Sequence, residues 1–488
     1  KTKLLAGQEP VSAQTEFTAG KSEQEIENIF CFDASALAGK TVVVFEKVFI
    51  GETEIASHED LEDEAQSITF PRHEIQTSAK NQKTDSRQAA ANKKITIKDT
   101  VTYENLIPGQ EYTVKGTLMD KETGEEFFDG GRKVTAEKVF IPQKKNGTVH
   151  LEFTFNGSSL TGRKLVVFER LFVQNTEVAA HADLQDEEQT VEFPVPRIGT
   201  KAENAQNKTQ EAAAGKKITL IDTVEYENLI PGQEYTLKGI LMEKETKKEL
   251  LVNGKTVTAE KSFTPQKASG EIKMEFAFDA SALTGKSLTV FERLYVEQTE
   301  IAVHTDFEDE RQTIVFPAPE MKTSARDKAT GKQEADPKEK MILVDIVKYE
   351  NLVIGTKYTV KGILMDKETG EELRIKGKPV TAEKTFRAGK KAGDLEIEFM
   401  FDAGALGGKK LVVFERLYVD GIQVASHTDL NDRAQTVFIK EKEIPVPQKT
   451  KKKNTPETGD TAPIGRVFLG IFLAGTVLLT VGKKKKDT

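Results

Sequence analysis

Apolar and polar residues alternate along short stretches of this chain, and four of these stretches are near copies. They are Val42-Val-Val-Phe-Glu46, Leu165-Val-Val-Phe-Glu169, Leu288-Thr-Val-Phe-Glu292 and Leu411-Val-Val-Phe-Glu415. A period of two is that of a β-strand, whose successive side chains point to opposite faces. In Leu165–Val173 one face holds Leu165, Val167, Glu169, Leu171 and Val173, and the other holds Val166, Phe168, Arg170 and Phe172. Glu169 is thus the one carboxylate in an apolar row. A carboxyl buried in this way is costly if charged and unpaired, so its pKa should rise.

The copies are evenly spaced. Glu46, Glu169, Glu292 and Glu415 step by 123 residues (169 − 46 = 123), and so do His58, His181, His304 and His427, and Gln66, Gln189, Gln312 and Gln435. The chain therefore divides into a truncated repeat at 1–72, three full repeats at 73–195, 196–318 and 319–441, and a different segment at 442–488. Lys1 aligns with Gly124, and there is no initiator methionine or leader, so the sequence reads as the C-terminal piece of a longer protein.

Within 73–195 the alternation predicts strands at Ile95–Tyr103, Tyr112–Leu118, Val134–Phe140, Val149–Phe155, Leu165–Val173, Glu177–Ala180 and Gln189–Phe193. Pro108-Gly109, Lys121–Gly124 and Asn146-Gly147 supply the turns. This spacing predicts an all-β fold, an Ig-like or Greek-key β-sandwich or a partly closed barrel. The segment Lys80–Lys94 reads as a polar loop around an alanine run, with at most one helical turn. Pro194-Val-Pro196 and Pro317-Ala-Pro319 are short, stiff joints, so the repeats should form a semi-rigid rod.

Composition narrows the function. A net charge of −8 over 488 residues argues against nucleic acid as a partner. The single cysteine, Cys31, excludes an intrachain disulfide framework. No cofactor or metal motif stands out, since one histidine per repeat with nearby aspartates fits a hydrogen-bond network better than a cation site.

Four side chains per repeat interrupt apolar rows. Glu169 is the first. Asp99 is the second, with Asp222 and Asp345 as its counterparts. Thr77, between Ile75 and Ala79, is the third, with Thr200 and Thr323. Gln189, ahead of Val191 and Phe193, is the fourth, with Gln312 and Gln435. A satisfied polar network in a β-core is one reading of each. Taken together they suggest more. Two neighbouring buried carboxyls share one proton, and such a pair can take a proton from a hydroxyl and give one to a leaving amine. Thr77 could then attack the side-chain carbonyl of Gln189, releasing ammonia and leaving an ester. Thr100 and Thr223 are excluded as nucleophiles because the last repeat has Ile346 there and because they face away from the aspartate.

These residues resemble those of the VaFE-repeat surface proteins. The matching motifs are Ile198-Gly-Thr200, Asp99-Thr-Val-x-Tyr-Glu-Asn-Leu106, Val167-Phe-Glu169 and His181-x-Asp-Leu-x-Asp186-x-x-Gln189. The resemblance implies Thr–Gln ester crosslinks joining Thr77 to Gln189, Thr200 to Gln312 and Thr323 to Gln435. It implies that the Asp and Glu handle protons and that the His and Asp ahead of each Gln orient and polarise it. The implied sets are Asp99, Glu169, His181 and Asp186; Asp222, Glu292, His304 and Asp309; and Asp345, Glu415, His427 and Asp432. The truncated repeat keeps Glu46, His58, Asp63 and Gln66 but lacks the threonine and aspartate strands, so it should form no bond.

The last segment has Thr455-Pro456-Glu-Thr458-Gly459, an apolar run at Val467–Val481 and a basic tail at Lys483–Lys486. The run is shorter than the roughly 20 residues that span a bilayer. The arrangement resembles a sortase sorting signal of Gram-positive bacteria, with Thr455 where leucine is usual. The resemblance implies cleavage between Thr458 and Gly459 and partnership with a sortase and cell-wall peptidoglycan. A plain membrane anchor is the alternative.

The expected function is a wall-anchored stalk or adhesin with self-crosslinked domains, not a turnover enzyme. Two alternatives stand beside it. One is repeats that bind a host ligand without crosslinks, although adhesive specificity would sit in a region upstream of residue 1. The other is a pilin-like subunit with a Lys–Asn isopeptide, for which Lys115 and Asn105 recur as Lys238 and Asn228 and as Lys361 and Asn351.

Overall fold

The computed structural model describes residues 2–442. Thr455, Pro456, Thr458 and Gly459, with the apolar run and basic tail, lie outside them. Among the described residues no helix is long and apolar enough to cross a membrane.

Each full repeat is all-β, as its alternation predicts. In 73–195 the principal strands are β1 (Glu74–Asn81), β2 (Ile95–Glu104), β3 (Tyr112–Asp120), β4 (Thr135–Phe140), β5 (Gly147–Phe155), β6 (Lys164–Val173), β7 (Thr176–His181) and β8 (Thr190–Glu192). Strands β5, β2 and β1 form a three-stranded antiparallel sheet, and β4, β3, β6 and β7, with β8 also on β6, form a five-stranded one. The next two repeats keep this plan, with short extra strands enlarging the second sheet. Each full repeat has its own apolar core, that of the second including Ile97, Val101, Tyr112, Leu151, Phe153, Val167 and Phe193.

The alternation decides which side chains enter that core. In β2 the burial pattern is strictly two-fold, with Ile95, Ile97, Asp99, Val101 and Tyr103 all buried. Asp99 lies opposite Ala79 of β1 and Leu151 of β5. In β6 Glu169 lies opposite Gly116 of β3 and His181 of β7. Gly116 has no alternative residue at this site, since a Cβ there would come 2.5 Å from the Phe153 ring and 2.8 Å from Leu151. The missing side chain lets the opposite sheet close over Glu169 and keep water out.

The alanine run departs from the polar loop that the sequence suggests. Ala89, Ala90 and Ala91 are buried in an extended segment with no helix. That segment bridges the last strand in parallel at Gln88 and Glu192. An extended backbone turns neighbouring alanines to opposite sides, and a methyl group is small enough to fit on both.

The first repeat is different. Among its hydrophobic residues only Leu37 is buried, while Phe49, Ile50, Ile55 and Ile68 are exposed. The half that would cover them has no counterpart in residues 1–72.

The close approach at Gly116, Gly239 and Gly362 is testable. Gly362→Ala would set a Cβ 2.5 Å from Phe399 and 2.7 Å from Ile397. Overpacking of this kind costs about 1–3 kcal/mol, so the urea midpoint of the fourth repeat should fall accordingly.

Candidate functional site

The threonine, the glutamine and the two acids converge at one buried point in every full repeat. Thr77 is on β1, at the edge of the small sheet. Gln189 immediately precedes β8, at the edge of the large one. The two edges meet where the Ala79 amide donates to the Glu188 carbonyl at 2.9 Å. Asp99, Glu169 and Gln189 are all 0% exposed and Thr77 is 7% exposed. Asp222, Glu292 and Gln312 with Thr200, and Asp345, Glu415 and Gln435 with Thr323, are buried in the same way.

Glu169 Oε2 is the hub. The Thr77 hydroxyl donates to it at 3.0 Å and the Gln189 amide nitrogen donates to it at 2.5 Å. The same nitrogen lies 2.5 Å from Thr77 Oγ1. In the third repeat Gln312 Nε2 is 2.7 Å from Thr200 Oγ1 and 2.6 Å from Glu292 Oε2. In the fourth, Gln435 Nε2 is 2.5 Å from Thr323 Oγ1 and 2.6 Å from Glu415 Oε2, and Thr323 donates to Glu415 Oε2 at 3.0 Å.

The acids cannot both be charged. Both Asp99 oxygens and Glu169 Oε1 are buried, and no side-chain donor reaches them when the carboxyls are taken as anions. One proton between Asp99 and Glu169 Oε1 turns that contact into a hydrogen bond and leaves Oε2 free to accept. Burial pushes Asp99 up to about 6, against the pull of the Glu169 hydrogen bond and of the charge on His181. Burial, and then the neighbouring Asp99 charge, hold Glu169 well above the usual carboxylate range. Asp222 and Asp345 are likewise pushed up to about 6, and Glu292 and Glu415 are raised further, for the same reasons. Each pair therefore holds one proton near neutrality.

His181 and Asp186 make no hydrogen bond to the Gln189 side chain itself. His181 Nε2 meets Asp186 Oδ2 at 2.9 Å, and Nδ1 meets the Ile75 carbonyl oxygen at 3.3 Å. Both ring nitrogens thus face acceptors and are bonded together only as donors. Asp186 Oδ1 accepts the Glu188 amide at 2.7 Å. The pair ties β7 to β1 and shapes the turn that delivers Gln189, so these are positioning residues. Gln189 Oε1 is buried with no donor when the carboxyls are taken as anions. His304 with Asp309 and His427 with Asp432 repeat the arrangement, at 3.0 Å and 2.9 Å.

One member of this turn escaped the sequence reading. Thr190 donates through its hydroxyl to the Asp186 carbonyl at 2.6 Å, as do Thr313 to Asp309 at 3.0 Å and Thr436 to Asp432 at 2.6 Å. The signal was available, since a hydroxyl residue follows the glutamine in all four repeats, Ser67 being the first.

The isopeptide alternative is not assembled. Lys115 is on the exposed side of β3, 3.6 Å from Glu137 and over the Phe172 ring. Asn105 occupies a left-handed turn with φ 60° and donates to the Arg72 carbonyl. In the first repeat Gln66 contacts Glu46 and His58 meets Asp63 at 2.8 Å. Counterparts of Thr77 and Asp99 would precede residue 1. Among the described residues no cluster of His, Cys, Asp and Glu could hold a metal ion.

These features define a tandem β-domain protein with a dry threonine–glutamine–acid site in each complete domain. The family described as the T-Q ester bond containing domain matches residues 1–70, 73–193, 196–316 and 319–439. The chain belongs to this family. No curated protein sequence matches it.

Solved structures that resemble it include two crystal forms of a bacterial adhesin from Mobiluncus mulieris containing intramolecular disulfide, isopeptide and ester bond cross-links. One is 15% identical, covers 47% of this chain and 83% of that one, and has a TM-score of 0.23. The other is 15% identical, covers 53% and 88%, and has a TM-score of 0.24. A putative β-galactosidase from Bacteroides fragilis is 10% identical, covers 48% and 40%, and has a TM-score of 0.19. Likenesses this weak carry no argument about the chain.

The raised acids make stability depend on pH where no covalent link masks it. In Thr77→Ala/Thr200→Ala/Thr323→Ala the folded repeats bind protons more tightly than the unfolded chain. Their stability is greatest below the ordinary aspartate value of 3.8 and falls as the pH rises through about 6. The aspartate shift alone corresponds to roughly 3 kcal/mol per repeat, to which the raised glutamate adds, and urea unfolding between pH 4 and 7.5 measures the loss.

Proposed function

We propose that each complete repeat closes an ester between its threonine and glutamine and that the chain is a surface stalk stiffened by these bonds. The observation behind this reading is that one carboxylate oxygen touches both reacting groups. Glu169 Oε2 is within hydrogen-bond distance of Thr77 Oγ1 and of Gln189 Nε2. It can therefore take the hydroxyl proton as Oγ1 attacks Cδ of Gln189 and hand that proton to the departing nitrogen. The Oγ1–Cδ bond forms, the Cδ–Nε2 bond breaks, and ammonia leaves. Asp99 holds the pair's remaining proton and steadies the charge on Glu169 as it changes.

The reaction occurs once per repeat. The reacting groups are sealed in the core, so no outside substrate reaches them, and no product site is regenerated. The crosslink spans 112 residues. In the loop-entropy account, a closure of that size restricts the unfolded chain by about 4–5 kcal/mol.

A stalk is the use that fits a row of such domains on a cell surface. The sorting-like segment at Thr455, Pro456, Thr458 and Gly459 supports covalent attachment to the cell wall by a sortase, and Lys483–Lys486 supports a cytoplasmic stop before cleavage.

Intact mass tests the chemistry. The full chain should weigh about 51 Da less than its sequence, one ammonia of about 17 Da for each of three repeats. Thr200→Ala or Glu292→Gln should each reduce the deficit by one third, while Gln66→Ala should leave it unchanged. A chain at its full sequence mass would overturn the proposal.

A further inference from the structure

The alanine run joins neighbouring repeats. Ala89 and Ala91 belong to the core of their own repeat, whereas Ala90 between them packs into the core of the third. One repeat later, Ala212 and Ala214 belong to the third repeat's core and Ala213 packs into that of the fourth. The contact is close, since a Cβ on Gly215 would lie 3.5 Å from Val419 Cγ1. Ion pairs flank it, Glu211 with Lys391 and Lys83 with Glu297.

Three positions change burial between repeats in step with this packing, and we take them as the receiving surface. In the third repeat they are Ile230, Gln233 and Val296, and in the fourth Val353, Thr356 and Val419, all buried. In the second repeat the same positions are Ile107, Gln110 and Val173, and none is buried. Ile107 is 47% exposed, against 1% for Ile230 and 2% for Val353. The donor side varies too. The residue aligned with Ala90 and Ala213 is Asp336 (213 + 123 = 336), exposed and followed by Pro337. The last repeat has a charge where the others have a plug.

We infer that each repeat locks to the next by inserting one alanine into a socket, and that the socket of the second repeat, around Ile107, takes the alanine loop of another repeat of this kind placed before it. The occupant follows from the two sockets already filled, both of which hold this loop. It is not a second copy of this chain, whose one uncommitted loop of this kind among the described residues presents Asp336 and would bury a carboxylate against valine and isoleucine. The inference does not depend on ester formation.

Thiol accessibility in the full chain with Cys31→Ser reads the sockets directly. Single substitutions Ile107→Cys, Ile230→Cys and Val353→Cys report the three sites through their rates of reaction with a maleimide. The Ile107→Cys thiol should react about tenfold or more faster than the other two. Adding Ala90→Asp should release Ile230→Cys alone, and adding Ala213→Asp should release Val353→Cys alone, whereas Asp336→Ala should change none. Replacing residues 1–72 with a second copy of 73–195 should slow Ile107→Cys to the rate of the others. Equal rates at all three sites, which need no loop variant to observe, would overturn the lock. An Ile107→Cys rate that falls with chain concentration, or stays fast behind the added repeat, would overturn the assigned occupant.

Discussion

A carboxyl with no access to water must either find a positive partner or keep its proton, and the site in these repeats is built on the second outcome. Glu169 sits in an apolar row with a glycine on one neighbouring strand, so the opposite sheet closes directly over it. Asp99 arrives from that sheet, and the two acids have no choice but to divide one proton. Everything reactive in the repeat follows from this. A fully ionised glutamate would be too costly to bury, and an isolated protonated one could not take the threonine's proton. Sharing leaves one oxygen basic while the other is satisfied.

Dryness also determines which products persist. An ester exposed to water hydrolyses readily, and the ammonia-for-hydroxyl exchange is favourable only where water cannot take the place of Thr77. The side chains that exclude water, Phe153 and Leu151 over Gly116, belong to β5, which contributes no reactive group. The three-stranded sheet thus works in two ways, presenting Asp99 and Thr77 on β2 and β1 and closing the site with β5.

Much of this was legible in the sequence because a two-residue period reports the burial of every second residue. Asp99, Glu169, Thr77 and Gln189 announced themselves by interrupting apolar rows, and the fold class followed from the same rows. The backbone partners of His181 and Asp186 were not legible, being a carbonyl on β1 and an amide in the turn. A sequence pattern records side chains and is silent about such partners. The alanine run was misread for a related reason. Alanine is compatible with a loop, a helix or a tight interface, and only the neighbouring repeat distinguishes them. The informative residue was Asp336, where the pattern breaks at the end of the array, and its meaning depends on knowing that Ala90 and Ala213 are covered.

The placement of the proposed bond within the repeat bears on how tension would travel. β1 enters the small sheet and β8 leaves from the large one, so the two ends of a repeat do not share a ladder. Between them run the Ala79–Glu188 backbone bond and the His181–Ile75 contact. Each is worth on the order of 1 kcal/mol and would yield singly under load. Thr77 is three residues into the first strand and Gln189 directly precedes the last, so a covalent link there shunts force past nearly the whole domain. The alanine socket then matters for a separate reason. A crosslinked domain cannot lengthen, which leaves the junction between domains as the compliant element. A methyl group seated in the neighbouring core resists bending at that junction without adding a bond that could break irreversibly.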